Sequence, residues 1–270
     1  MRPAAAASLD GPRTRVTRRA RRSSARAPIR DDPVPASRAL RYRSRMSAST
    51  APVRVKICGL STPETLEAAL AAGADLIGLV HFPRSPRHVD LAAGAALAAR
   101  ARGRAERVVL LVDPDDALLD AVTAALDPDW IQLHGRESPE RSAAIRTRSG
   151  RPVMKALGVA TLDDLAPVSA YAGAADRILL DAKPALGAAL PGGNGHAFDW
   201  TLIGRAGLAP GFMLSGGLTP QNVGEALAVT GARAVDVSSG VERGPGRKDP
   251  ELIRAFVAAA RAAGGPLAKN

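Results

Sequence analysis

At 270 residues, with 46% hydrophobic side chains and a single cysteine, the chain is long enough for one large α/β domain or two small ones, and it excludes an intrachain disulfide. Its net charge of +11 is confined to one end: residues 1–50 hold 13 Arg, no Lys and three acids, a net of +10, which leaves +1 for residues 51–270. That basic end has no apolar run of membrane-spanning or signal-peptide length, which argues against membrane insertion and export and predicts a cytoplasmic protein with a reduced thiol.

Residues 1–50 read as a disordered Arg-rich extension, because so polar a stretch cannot bury enough apolar area to offset the entropy of ordering. Its composition is similar to that of an organellar transit peptide, and Arg18, Arg19, Arg21 and Arg22 are similar to a nucleic-acid arm. Met46, just ahead of the first regular segment, is the expected true start. From there, strand-length apolar runs at 53–57, 76–81, 108–113, 130–134, 153–157, 178–181, 212–215 and 234–238 alternate with Ala- and Leu-rich segments of helix length. The runs are continuously apolar, as burial on both faces of a parallel sheet requires. Thr62-Pro63-Glu64, Ser138-Pro139-Glu140, Thr219-Pro220-Gln221 and Asp249-Pro250-Glu251 each place a capping side chain before a first-turn proline. Gly73, Gly173 and Gly231 sit where helices should stop. Eight βα units of about 27 residues fill the roughly 200–250 residues of a barrel. The predicted fold is therefore a single (β/α)8 TIM barrel over residues 51–264, followed by a short tail at 265–270. A doubly wound sheet is the alternative, but no G-x-G-x-x-G follows the first run.

In such a barrel chemistry belongs to the C-terminal ends of the strands, which here carry Cys58, the loop 82–88, Gln132, His134, Asp181, Ser215-Gly216-Gly217 and Asp236 through Gly240. Lys56 and Cys58 share a face of the first strand, so the cation is expected to lower the thiol pKa. Cys58 and Asp181 lie on strands that face each other across the mouth and form a candidate base and acid. Read alone, Cys58 also suits a small buried site, and Asp181 a salt bridge to Lys183, which has the same parity. The glycine turns at Gly216-Gly217 and Ser239-Gly240 suit a phosphate, and Gly192-Gly193-Asn194-Gly195 reads as a lid or binding loop. Arg87 is placed to clamp a carboxylate, whereas Arg84 reads as solvated. The four histidines show no metal-ligand spacing, so no metal is expected. Aromatics are too few to interleave with the basic end as a base-stacking surface, so no specific nucleic-acid partner is expected.

The segments VKICGL, FPRSPR, IQLHG, LLDAK, GGNGHAFDW, MLSGGLTPQNV and AVDVSSGVE, in this order over about residues 53–262, resemble the phosphoribosylanthranilate isomerase family of tryptophan biosynthesis. The resemblance implies an Amadori rearrangement of N-(5-phosphoribosyl)anthranilate without any cofactor. It implies that Asp181 is the general acid, Cys58 the general base and Arg87 the partner of the anthranilate carboxylate. His134 and Asp236 become further substrate contacts, and Gly193, Gly195, Gly216, Gly217, Ser239 and Gly240 the phosphate site. Pro86 and His88 depart from the lysine and aromatic that family members often carry in that loop. The implied partner is a small phosphosugar, and the implied assembly a monomer or homodimer. A dual-specificity phosphosugar isomerase that also serves histidine biosynthesis is the alternative, against which stands Cys58 where that enzyme has an aspartate. A basic-tailed nucleic-acid binder on a barrel scaffold is the alternative from another class.

Overall fold

The computed structural model describes residues 52–184, 192, 197–209 and 211–264. The expectations for residues 1–50 and 265–270, and for Gly193 and Gly195, lie outside the described residues. Eight parallel strands close on themselves in sequence order: β1 (Arg54–Cys58), β2 (Leu76–Val80), β3 (Glu106–Leu111), β4 (Trp130–Leu133), β5 (Val153–Val159), β6 (Arg177–Ala182), β7 (Met213–Leu214) and β8 (Ala234–Val237). Helices α1 (Pro63–Ala71), α2 (Leu91–Ala101), α3 (Asp116–Leu126), α4 (Pro139–Ser149), α5 (Thr201–Arg205), α6 (Val223–Thr230) and α7 (Pro250–Ala263) surround them. The fold is the expected TIM barrel. Between β5 and β6 the crossover is a 3-10 segment, Leu162–Tyr171, because Pro167 inside it has no N–H for an i→i−4 bond.

Three of the four predicted helix starts form as read: Thr62, Ser138 and Asp249 each accept a backbone N–H from the first turn, with proline following. The fourth differs. Thr219 does cap, its hydroxyl accepting the Asn222 N–H at 3.3 Å, but Asn222 in turn accepts the Thr219 N–H at 2.7 Å and donates to the Gly217 carbonyl at 2.9 Å, so residues 219–222 close as a turn and α6 begins only at Val223. Gly73, Gly173 and Gly231 have φ of +83°, +83° and +64°, the left-handed stop that glycine permits.

Strand alternation sorts the side chains into two populations. Outward-facing Val55, Ile57, Ile77, Leu79, Val109 and Leu111 are fully buried against the helix layer. Inward-facing Leu76, Val108, Met154, Leu179, Met213 and Ala234 fill the lower barrel as a separate apolar plug. One step nearer the C-terminal ends the same inward stripes become polar, with Lys56, Gln132, Asp181, Ser215 and Asp236 buried there. The plug thus keeps water and chemistry at one mouth.

The opposite rim repeats every second strand. Asp75, Asp129 and Asp176, each just before an even-numbered strand, accept the N–H of Val55, Arg107 and Val153 on the preceding odd strand at 2.7, 2.8 and 2.9 Å. Each returns its own N–H to the same residue's carbonyl, at 2.9, 2.8 and 2.8 Å. These aspartates satisfy donors that parallel stagger leaves over at the strand base.

Above β3 to β5, Glu137 acts as a pin. Its carboxylate accepts the Asp113 N–H at 2.8 Å, the Gly135 N–H at 3.0 Å and Lys155 Nζ at 2.6 Å, while its carbonyl accepts the Tyr171 hydroxyl at 2.8 Å. Both charged side chains are buried. Removing the carboxylate strands a buried ammonium and two N–H groups, whereas removing the ammonium leaves a carboxylate still hydrogen-bonded. Glu137→Leu should therefore cost about 3–5 kcal/mol in urea unfolding, and more than Lys155→Met. The reverse order would show that the cation is the anchor.

Candidate active site

β1 turns Lys56 and Cys58 inward. Lys56 Nζ donates to Asp236 Oδ1 of β8 at 2.8 Å, directly across the seam where first and last strands pair, and both side chains are shut off from solvent. Burial pushes the Lys56 ammonium down, but Asp236 and the adjacent Cys58 outweigh it and hold the lysine above its ordinary value. Cys58 is affected the other way. Burial pushes its thiol up, Lys56 pulls it down and Asp236 pushes it up, with the net above the ordinary thiol value. The expected lowering by the neighbouring cation is overturned, chiefly because burial disfavours the thiolate and secondarily because Asp236 offsets part of the lysine's field.

Room for the thiol is made opposite it. A Cβ on Gly78 of β2 would stand 2.8 Å from Cys58 Sγ. The Cys58 carbonyl accepts the Ser238 hydroxyl at 3.2 Å, and Lys248 Nζ reaches the Ser238 carbonyl at 2.9 Å and hydroxyl at 3.1 Å. Lys248 also donates to Glu242 at 2.6 Å, and burial holds its ammonium below the ordinary lysine value against that carboxylate's pull. Lys248 and Glu242 come from a small antiparallel hairpin, β9 (Glu242–Gly244) and β10 (Arg247–Lys248), that sequence reasoning missed. Gly244-Pro245-Gly246 was the signal for it.

Glu242 also takes Arg87 through two parallel bonds, Nε and Nη2 each donating at 2.8 Å. The Arg87 stem packs where a Cβ on Gly59 would sit, 2.7 Å from Cδ, and Gly59 adopts φ +79°. Arg87 is therefore buried against Gly59, the residue after Cys58, with Nε and Nη2 of its guanidinium held by Glu242, while Arg84 is exposed as read.

Across the mouth, Asp181 on β6 is buried. Its Oδ1 accepts the Ala182 N–H at 2.9 Å, and its Oδ2 lies 3.2 Å from Nε2 of His134, whose Nδ1 lies 3.2 Å from the Gln132 amide nitrogen. Gly192 passes over this pair so closely that a Cβ there would meet both partners at 2.6 Å. Lys183 is not the partner of Asp181. β6 ends at Ala182, alternation ends with it, and Lys183 turns out to Asp164 at 2.5 Å.

The two glycine turns meet. Gly216 and Gly217 have φ of +86° and +64°, Gly216 abuts the Ala182 backbone, and a Cβ on Gly240 would clash with the Leu218 carbonyl at 1.8 Å. Ser239 and Gly240 begin a short 3-10 turn after β8. Asp236 serves Lys56, and its second oxygen accepts the Ser215 hydroxyl at 3.3 Å. The His81 and His88 rings meet tilted by 51° with centroids 5.0 Å apart, and among the described residues no group of three or more His, Cys, Asp or Glu could hold a metal. No helix among the described residues is long and apolar enough to cross a membrane.

Residues 55–259 match the family model described as N-(5'phosphoribosyl)anthranilate (PRA) isomerase. The N-(5'-phosphoribosyl)anthranilate isomerase of Azorhizobium caulinodans is 66% identical over 213 residues, 78% of this chain and 92% of that protein. Among solved structures, phosphoribosyl anthranilate isomerase in complex with reduced 1-(o-carboxyphenylamino)-1-deoxyribulose 5-phosphate superposes with a TM-score of 0.67 at 33% identity, covering 78% of this chain and 99% of the other. Monomers of the dimeric phosphoribosylanthranilate isomerase of Thermotoga maritima give 0.67 at 34% identity with the same coverage. A closed eight-stranded barrel whose polar mouth holds Cys58 opposite Asp181, matched along nearly all of its length, belongs to the N-(5'-phosphoribosyl)anthranilate isomerase family.

Proposed function

We propose that the barrel converts N-(5-phosphoribosyl)anthranilate to 1-(2-carboxyphenylamino)-1-deoxyribulose 5-phosphate with Asp181 and Cys58 as its two proton-transfer groups. The observation that carries this reading is their placement on β6 and β1, each buried and anchored by a separate hydrogen-bond network. Asp181 gives a proton to the furanose ring oxygen as the C1–O bond breaks and the anilino nitrogen lone pair forms the Schiff base. Cys58, ionised by losing its thiol proton to solvent with Lys56 beside it, takes the proton from C2 as the thiolate, the electron pair moves to form the C1–C2 double bond of the enaminol and neutralises the iminium nitrogen, and ketonisation at C2 with protonation of C1 completes the isomerisation. A thiolate formed in a buried site is a stronger base than one in water, which suits removal of a proton from carbon. Lys56 supports that thiolate with charge.

The glycine turns after β7 and β8 suit the phosphate, since a backbone without Cβ atoms lets N–H groups approach an anion. At the other end Arg87, oriented by Glu242, suits the anthranilate carboxylate. His134 and Asp236 then act mainly on Asp181 and Lys56, with substrate contact secondary.

Rescue of a tryptophan auxotroph lacking the isomerase tests the activity, and Cys58→Ala and Asp181→Asn should each lower kcat by about 10²–10⁴ with the fold intact. Near wild-type turnover in either variant removes that residue from its role. Because the Cys58 thiol is held above its ordinary value, iodoacetamide should alkylate it slowly at neutral pH and accelerate with pH beyond the usual thiol midpoint of about 8.5, where the thiolate forms. A rate already maximal at neutral pH would contradict this direction. Inorganic phosphate should compete with substrate, and Gly217→Asp, which left-handed backbone tolerates, should lose that competition. Unchanged inhibition moves the anion site elsewhere.

A further inference from the structure

We propose that Gln132 is a positioning residue: by donating its amide N–H to Nδ1 of His134 it holds the imidazole uncharged in the Nε2–H tautomer, and that N–H in turn orients the Asp181 carboxyl. The inference rests on the assignment of Asp181 as the acid. Position 132 points into the barrel in the middle of β4, opposite Leu110 on β3 and Met154 on β5. Gln132 has no solvent exposure, and its Oε1 has no partner among the described residues. An apolar side chain would pack between those neighbours without burying an unpaired amide oxygen. What the glutamine provides is the other end of its amide, 3.2 Å from His134 Nδ1.

An amide nitrogen offers only hydrogens, so Nδ1 must accept. A neutral imidazole with a bare Nδ1 carries its proton on Nε2, and there Asp181 Oδ2 stands 3.2 Å away with a lone pair to receive it. With the amide turned over, Oε1 would accept Nδ1–H, and Nε2 would either donate to the carboxylate as an imidazolium or accept from a protonated Asp181. The orientation of the Gln132 amide, nitrogen toward Nδ1, is therefore what selects the neutral Nε2–H form, and the tautomer is the property to be measured. Among the described residues the groups around the imidazole carry no competing charge: Val112 just past β3 and Ala156 on β5 are apolar, Lys183 is committed to Asp164, and Gly192 covers the Nε2–Oδ2 contact with backbone. An imidazolium beside the acid would favour its ionised form, whereas a neutral donor fixes one carboxyl oxygen and leaves the remaining lone pairs to carry the proton for delivery.

The imidazole nitrogens of the full chain, labelled with 15N and assigned through the signal missing from His134→Gln, read the tautomer directly. At about pH 8 His134 should show a pyridine-type Nδ1 and a pyrrole-type Nε2. Gln132→Glu offers Nδ1 an acceptor and should convert it to pyrrole type. Gln132→Met keeps the bulk, removes the donor and serves if the first variant does not fold. Both should lower kcat by about tenfold or more with KM within about threefold, a split that loosened packing of the substrate pocket would not produce. A wild-type Nδ1 already protonated, or variants with wild-type kcat, would overturn the proposal. Near wild-type turnover in Asp181→Asn would withdraw the acid assignment and the catalytic half of this inference, and the spectra would still decide the tautomer.

Discussion

The buried pair between Lys56 and Asp236 is the constraint around which the upper barrel is arranged. It lies at the one junction that joins strands 180 residues apart, so closure of the barrel and the assembly of the mouth are the same event. Removing two charges from water costs several kcal/mol per ion, ~10 kcal/mol before their attraction is counted, and an apolar pair of similar volume would close the seam more cheaply. What the ionic version supplies is a permanent dipole beneath Cys58. Burial and Asp236 raise the thiol pKa while Lys56 lowers it, so the thiolate, when it forms, has a cation beside it to bear its charge.

From that pair outward, the mouth is organised as two separate hydrogen-bonded systems. On one side, Cys58, Ser238, Lys248, Glu242 and Arg87 form a continuous chain linking β1, β8, the β9–β10 hairpin and the loop after β2. Glu242 is its centre, and the two cations it holds keep its carboxyl below the usual range despite burial. On the other, Gln132, His134 and Asp181 join β4 to β6. An acid and a base that must hold opposite protonation states are easier to tune when no shared network couples them.

Much of the fold was readable because its causes are local. Continuous apolar runs marked all eight strands, and proline behind a capping side chain marked three helix starts correctly. What failed in the helix layer was local chemistry left unread: Pro167 denies the crossover after β5 an i→i−4 N–H, and Asn222 closes a reciprocal turn with Thr219 so that α6 begins only at Val223. In the site, Cys58, Asp181, Arg87 and the two glycine turns were all brought to one mouth as read. Their partners were not legible: Asp236 for Lys56, His134 for Asp181 and Glu242 for Arg87 are each separated by long stretches of chain, and parity at Lys183 misled because the strand had already ended. The direction of the Cys58 shift failed for the same reason, since burial and a second charge are properties of the closed barrel.

The aspartates at the lower rim give the barrel a grain. Asp75 ties β1 to β2, Asp129 ties β3 to β4 and Asp176 ties β5 to β6, while before β8 the corresponding position is Arg233. The chain is thus built of two-strand modules, three of them sealed at the base by their own carboxylate. Opening it between modules, in the segments that lead from β2 to β3, β4 to β5 or β6 to β7, separates no aspartate from the N–H it serves. Opening it within one strands both a carboxylate and a strand-end donor. New termini for a circular permutant, or a break between complementing fragments, therefore belong after an even-numbered strand.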